Sequence, residues 1–270
     1  MKIHFLGTAA AEGWPALFCR CEYCHKARQL GGKNIRTRSS VIIDDTMKID
    51  FPPDTYHHVL RDNIDLASVE HLFITHSHWD HLQQTDLEKR MPTSAHGIDF
   101  PLHIYGHDLV MQSCKSVIDA KHERFELHHV LPFQNVQVDQ NTCVTPLLAD
   151  HGKHETCLLY FIEKNGKSIL YGHDSGWFPS ETWNWLEGRS FDLAILDCTN
   201  GPLPGRQNHQ NIEAVIEMKE EFQQKGMLRK NGKVIATHFS HNGGLLHHEL
   251  EERFSPHGII VAFDGMVYEV

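Results

Sequence analysis

Short apolar runs of strand type and amphipathic stretches of helix type share the chain. Residues 2–7 alternate apolar and polar before a glycine turn, the pattern of a strand. An irregular Gly- and Cys-containing loop follows over 7–38. Residues 40–44 and 47–51 read as two strands joined by an Asp-Asp-Thr turn. Pro52-Pro53 ends the second, and Asp54 is placed to cap a helix through residue 60. A buried strand over 69–75 delivers His76 at its C-terminal end. A helix starting near Asp80 would turn Leu82 and Leu87 inward. Further strands are expected at 102–105, 143–148, 158–162, 168–171, 192–196, 233–237 and 259–263, and helices at 108–118, 211–224 and 245–254. The first half is rich in strands and the second alternates strand and helix. No Gly/Ser/Pro-rich linker divides them, so a single α/β domain spanning 1–270, with stacked sheets and outer helices, is the expected organisation.

Length and composition narrow the classes of function. A chain of 270 residues buries roughly three quarters of its unfolded surface, enough for a stable core. Its longest apolar runs fall far short of the roughly 20 residues a bilayer requires, so a membrane span is not expected. The apolar stretch at the N-terminus is too brief for an export signal, and a cytoplasmic location is expected. Lys and Arg total 25 against 35 Asp and Glu, for a net charge of −10. No basic run tracks along the chain as a long nucleic acid would require.

Twenty-three histidines, and three of seven cysteines within six residues, change the picture. Thr75-His76-Ser77-His78-Trp79-Asp80-His81 carries the strongest signal. An H-x-H pair at a strand end turns two imidazoles toward one centre, and the following Asp-His pair serves a second centre nearby. Two metal ions about 3.5–4 Å apart can clamp both oxygens of a displacement. The mix of carboxylate and imidazole suits Zn, Mn or Fe. Cys19-Arg20-Cys21-Glu22-Tyr23-Cys24 supplies three thiolates, one short of a closed tetrahedral zinc site. A redox pair and chance clustering are the other readings of those cysteines. Cys114, Cys143, Cys157 and Cys198 lie scattered in apolar stretches, as buried free thiols do.

The H-x-H-x-D-H motif after a buried strand resembles the metallo-β-lactamase superfamily. That resemblance implies a four-layer αββα sandwich, two mixed β-sheets flanked by helices. It also implies three more metal ligands at later strand ends, matched here by His151, Asp174 and His238. On that pattern His76, His78, His151 and Asp174 would hold one divalent metal, and Asp80, His81, Asp174 and His238 the other. His173 is the rival for the bridging position of Asp174. Asp50, at a strand end, is either a turn cap or the carboxylate that orients a ligand imidazole. Cys-x-Cys-x-x-Cys with Thr237-His238-Phe239-Ser240-His241 is similar to the branch of this superfamily that contains the phosphoribosyl 1,2-cyclic phosphate phosphodiesterases. Residues 33–40, Leu196-Asp197-Cys198, Asn208-His209 and Phe263-Asp264-Gly265-Met266 share in the likeness.

The branch implies that Cys19, Cys21, Cys24 and His241 hold a structural zinc that staples a loop over about 8–38. It also implies that His209 meets the substrate phosphate, although a helix-start position is its simpler reading. Thr199-Asn200 stands where the relatives carry a histidine, and Pro52-Pro53 has no counterpart in them. The function implied is a metal-dependent phosphodiesterase in which a metal-bridging hydroxide attacks a small, cyclic phosphodiester. Asp80 and His209 are its candidate catalytic residues. The alternatives are another hydrolase of the superfamily, a nuclease or one acting on thioesters, lactones or lactams, and a non-hydrolytic cofactor-biosynthesis relative. A small anionic substrate and a homodimer are implied, and no exosite arm for tRNA is visible. His57-His58, His128-His129 and His247-His248 read as surface or partly buried pairs without ligand roles. Arg36 and Arg38 read as phosphate contacts or solvated loop charges. Trp14, Phe18 and Trp177 line a cleft or pack in the core.

Overall fold

Alternation along the strands decides the layering. In the computed structural model, which describes residues 1–118 and 123–270, strand β1 (Lys2–Gly7) turns Ile3 and Phe5 to one side and Leu6 to the other. Strand β2 (Ser40–Ile43) does the same with Val41 and Ile43 against Ile42. Later strands repeat the pattern, β9 (Leu158–Lys164) with Leu158, Tyr160 and Ile162 against Leu159 and Phe161, and β11 (Phe191–Asp197) with Leu193 and Ile195 against Ala194 and Leu196. A strand apolar on both faces must be covered on both. One set of side chains therefore fills the space between two sheets and the other meets helices outside, which gives four layers. Ile195 is fully buried, and its truncation to Ala would cost roughly 2–5 kcal/mol.

Among the described residues each sheet has seven strands. The first contains β1, β2, β3 (Met47–Ile49), β4 (His71–Phe73), β5 (Leu102–Gly106), β6 (Phe125–His129) and β14 (Met266–Glu269), in the order β14-β1-β2-β3-β4-β5-β6. The second contains β7 (Val136–Gln137), β8 (Thr142–Leu148), β9, β10 (Lys167–Gly172), β11, β12 (Leu228–Thr237) and β13 (Ile259–Val261), in reverse sequence order. The β2–β3 turn forms where expected, with Asp44 and Asp45 at φ 49° and 63°, the left-handed pair that a tight hairpin requires. Helices α2 (Thr55–Asp62) and α3 (Asp108–Lys115) lie with the first sheet. The outer face of the second carries α4 (Ser180–Leu186), α5 (Ile212–Gln224) and α6 (His247–Phe254). No helix among the described residues is long and apolar enough to cross a membrane.

Three local expectations are corrected. The stretch 8–38 is not all loop: Glu22–Leu30 forms helix α1. Cys21 accepts the Cys24 N–H as its N-cap, Glu22 and Arg28 sit at the ends the helix dipole favours, and Gly31 closes it at φ 62°. No α-helix starts at Asp80; a 3-10 helix over Gln84–Arg90 stands there, with Leu82 and Leu87 buried as expected. Asp54 precedes α2 but makes no capping bond, because its carboxylate accepts the Arg38 N–H and pairs with the Arg38 guanidinium at 3.1 Å.

Candidate metal centre

The strands that matter end together. In the first sheet β3 and β4 run parallel, and Asp50 and residues 75–81 follow their ends. In the second sheet β8, β10, β11 and β12 point the same way, followed by His151, Asp174, Asp197 and His238. The two sheets are tied just below: Tyr160 donates its hydroxyl to the Ile74 carbonyl at 2.6 Å, and the Leu158 N–H bonds the Thr75 carbonyl at 2.9 Å. Asp50, Asp174 and His238 adopt φ of 62°, 54° and 61°. Left-handed backbone at a residue with a Cβ costs about 1–3 kcal/mol and persists where its surroundings impose it.

Every histidine and aspartate proposed from the sequence for the strand-end centre lies in one cluster. His76 Nε2 is 2.9 Å from His78 Nδ1 and 3.4 Å from Asp174 Oδ2, and His151 Nε2 is 3.4 Å from His78 Nδ1. His81 Nε2 lies 2.9 Å from Asp174 Oδ2 and 3.1 Å from Asp80 Oδ2, with His238 Nε2 3.8 Å from the same Asp174 oxygen. Asp174 thus stands between a His76/His78/His151 group and an Asp80/His81/His238 group. His81 Nε2, His238 Nε2 and Asp174 Oδ1 are buried without a well-aligned hydrogen-bond partner. Converging orphaned donor atoms of this kind are what a cation satisfies and water-excluded protein does not, so the residues fit a metal pair. Burial would raise the carboxyls of Asp80 and Asp174, but the surrounding imidazoles outweigh it and hold both well below the usual range. They are ionised and ready to ligate.

A second tier fixes these rings. Asp50, fully buried, accepts His81 Nδ1 at 2.8 Å and the Thr75 N–H at 2.8 Å. Its role is to orient the His81 imidazole, not to cap a turn. His173 Nε2 lies 3.3 Å from that Asp50 oxygen; it stands behind Asp50 and does not take the place of Asp174. Asp197, also fully buried, lies 3.2 Å from His238 Nδ1 and 3.1 Å from His209 Nδ1. Thr199 bonds both Asp197 (2.8 Å) and His238 Nδ1 (2.7 Å) through its hydroxyl. The Glu155 carboxylate accepts the Ser77 N–H and hydroxyl, steadying the H-x-H loop. The orienting roles of Asp197, Thr199 and Glu155 were not read from the sequence. The one available signal was the position of Asp197 at the end of a buried apolar strand.

His209 faces this cluster, its Nδ1 also 3.3 Å from Asp174 Oδ1. Burial disfavours its charge, yet the Asp197 and Asp174 carboxylates prevail and push its pKa up to about 9. Beside His151 opens a cleft of about 800 Å³ lined in part by Trp177, Lys153, Arg206 and Asn208. Trp177 therefore lines a cleft, whereas Trp14 is core and Phe18 is fully exposed.

Cys19, Cys21, Cys24 and His241 bring their donor atoms within 4.8 Å of one another, with His241 Nδ1 3.5 Å from Cys21 Sγ and 3.8 Å from Cys19 Sγ. Burial raises the Cys21 thiol, but hydrogen bonds from the Cys24 N–H, His241, Cys19 and Cys24 together outweigh it and bring the thiol down to about 6. Burial pushes Cys24 up to about 12. Of the other cysteines, all free, Cys114, Cys157 and Cys198 are buried and Cys143 is half-buried.

Both arginines of the 33–40 segment are turned into the protein and not left solvated. Arg36 is buried, donating to Thr8 Oγ1, the Ala262 carbonyl and His247 Nδ1; Arg38 pairs with Asp54 and the Ala11 carbonyl. Their guanidiniums are consumed by loop carbonyls and side chains that need donors. Two histidines read as surface or partly buried are fully buried instead, His58 against Thr37 and His247 against Arg36.

Two mixed sheets between helices, with imidazoles and carboxylates gathered where strands of both sheets end, define the metallo-β-lactamase fold. The chain belongs to the metallo-β-lactamase superfamily, residues 49–239 matching the family described as the beta-lactamase superfamily domain. It is 31% identical over 160 residues to a ribonuclease Z of Shouchella clausii (strain KSM-K16), a match covering 56% of this chain and 45% of that protein, so the chain matches less than half of that relative's length. Among solved structures it is similar to a diphosphatase from the PhnP family (TM-score 0.78, 23% identity, covering 100% of this chain and 97% of that one). It is likewise similar to zinc-bound PqqB of Methylobacterium extorquens (0.78, 16%, 100% of each) and to the short form of human tRNase Z (0.68, 17%, 100% and 99%). At these identities the structural likeness is one of fold.

Proposed function

We propose that the protein is a metal-dependent phosphoric diester hydrolase acting on a small, cyclic phosphodiester. One observation carries the reading: His209, anchored by Asp197 at 3.1 Å, faces Asp174 of the strand-end cluster directly after Asn208, which lines a cleft sized for a small molecule. The names of its relatives, a ribonuclease Z and a diphosphatase, agree with phosphorus–oxygen chemistry.

His76, His78, His151 and Asp174 would hold one divalent ion, and Asp80, His81, Asp174 and His238 the other, drawn from Zn, Mn or Fe. Cys19, Cys21, Cys24 and His241 would hold a structural zinc. When bound, the ion pair supplies Lewis acidity and a coordinated water whose pKa falls toward about 7. The chain supplies the rest. Asp50 and Asp197 fix the tautomers of His81 and His238, keeping each Nε2 lone pair turned to Asp174. Asp197 holds His209 Nδ1–H and keeps the ring protonated, and His209 would deliver its Nε2 proton to the departing sugar oxygen. Asp174 spans both ligand groups and keeps them at bridging distance.

The test is His209→Ala, assayed with manganese or zinc against cyclic ribose phosphates, cyclic nucleotides and an aryl phosphodiester. A fall in kcat of roughly 10²–10⁴ with unchanged metal content is expected. Undiminished turnover rejects the role of His209. A wild-type protein inert toward every phosphodiester but active on thioesters or lactones rejects the substrate class.

A further inference from the structure

A third gathering of metal-type donors lies away from both clusters, at the β6 edge of the first sheet. Parallel pairing sets His71 beside His103, and His103 beside Glu126 with Tyr105 beside His128. Leu72, Leu102, Ile104, Phe125 and Leu127 take the helix side of these strands. Alternation therefore leaves His71, His103, Glu126 and His128 together on the face turned to the second sheet. At this edge the second sheet ends in the two-residue β7. The side chains of His103 and His128 stay 26% and 36% exposed, so an ion can reach them.

Three donor atoms converge there. His103 Nδ1 is 3.0 Å from His128 Nε2 and 3.3 Å from Glu126 Oε2, and His128 Nε2 is 3.8 Å from that same oxygen. A tetrahedral zinc ion with bonds of about 2.0–2.1 Å sets its ligand atoms about 3.3–3.4 Å apart. The rings are held in place from both sides: His71 stacks on His103 at 5.1 Å, Tyr105 stacks on His128 at 4.6 Å, and His71 Nδ1 meets the Tyr105 hydroxyl at 3.1 Å.

We propose that His103, Glu126 and His128 bind one divalent ion of zinc type at the sheet edge, separate from the strand-end and cysteine clusters. Three protein ligands leave a fourth position to water. The bound ion cross-links β5 to the edge strand β6, whose unpaired side is otherwise open to association with another strand. The pair His128-His129 is then split in role: His128 ligates, while His129 turns outward to Asp108 at 2.9 Å.

The experiment is a calorimetric zinc titration of the full-length protein, already loaded at its other sites, beside His103→Gln, His128→Gln and Glu126→Gln. Wild type is expected to take up one further equivalent. The two histidine variants should lose it by more than the roughly 10–100-fold that removal of an outer partner brings, with hydrolytic activity unchanged. No further equivalent in the wild type overturns the proposal, and so does an equal titration by His128→Gln. Should a histidine variant fail to fold, Glu126→Gln decides, because the Glu126 side chain is 54% exposed: unaltered zinc affinity in that variant overturns the site.

Discussion

Asp50→Asn removes one charge and almost no volume, yet it is expected to weaken metal binding at the strand-end centre. The two Asp50 oxygens face only donors. Oδ1 accepts the Thr75 N–H at 2.8 Å and the Thr75 hydroxyl at 3.0 Å, while Oδ2 accepts that hydroxyl at 3.0 Å and His81 Nδ1 at 2.8 Å. An amide nitrogen on the Oδ1 side opposes the Thr75 N–H, stranding a buried donor at about 1–3 kcal/mol. On the Oδ2 side it donates to His81 Nδ1 and drives the ring proton to Nε2, the atom 2.9 Å from Asp174. A protonated Nε2 cannot ligate. Both outcomes correspond to roughly 10–100-fold weaker binding, the range for loss of a partner behind a ligand. Competition with a chromophoric chelator, with total metal counted in parallel, measures it. Wild-type affinity in a folded Asp50→Asn would refute the tautomer argument. Equal loss from the cysteine cluster would refute its locality.

Cys24→Ser should cost one zinc per chain and lower the melting temperature, with α1 and its flanks newly open to limited proteolysis; unchanged zinc content contradicts the four-ligand assignment. Lys48 is buried against Ser40, and burial drops its pKa to about 7, with nearby Asp50 only partly offsetting this. Unfolded, it titrates near 10.4. Between about pH 7 and 10.4 the unfolded chain binds a proton the native chain lacks, so this group makes stability rise with pH, and its full penalty falls below pH 7. Lys48→Met should accordingly be roughly 1–4 kcal/mol more stable at pH 6, the difference shrinking toward pH 10 in urea unfolding; a pH-independent difference is the contrary result. Arg36→Gln is expected to lose about 1–3 kcal/mol through stranded acceptors with KM for an anionic substrate unmoved, and a raised KM at full stability would return Arg36 to the substrate.

The gathering of these histidines and aspartates was legible because each lies in a loop just beyond an apolar strand, and a buried strand leaves its next residues nowhere to go but the sheet's end. His76, His151, Asp174 and His238 lie one to three residues beyond such a run, and His78, Asp80 and His81 follow in the same loop. What escaped follows different physics. The 22–30 helix has only Cys24 and Ala27 buried, too few apolar positions for a periodic signal; its cap and closing glycine carry it. Helix α4 over Ser180–Leu186 is seven residues of mixed polarity behind Pro179. Strands β6 and β14 lie at the sheet's edges, where half-exposed positions blur alternation. Arg36 looked like a surface charge because a sequence does not show which carbonyls lack donors; Thr8, Ala262 and His247 come from distant stretches. Thr199 was noticed as a departure, but its bonds to Asp197 and His238 arise from the parallel pairing of β11 with β12.

Two centres share one short tether. His238 belongs to the strand-end cluster and His241 to the thiolate cluster. Between them Phe239 is clamped to the N-terminal segment by bonds from its N–H to the Thr8 carbonyl (2.9 Å) and from the Ala10 N–H to its own carbonyl (3.1 Å). A segment so short and so fastened transmits displacement with little slack. Oxidation of Cys19, Cys21 or Cys24 would release one end of it and put strain on His238, which Thr199 and Asp197 hold from the other side. On the proposed reading, thiol damage would then be felt at the strand-end centre.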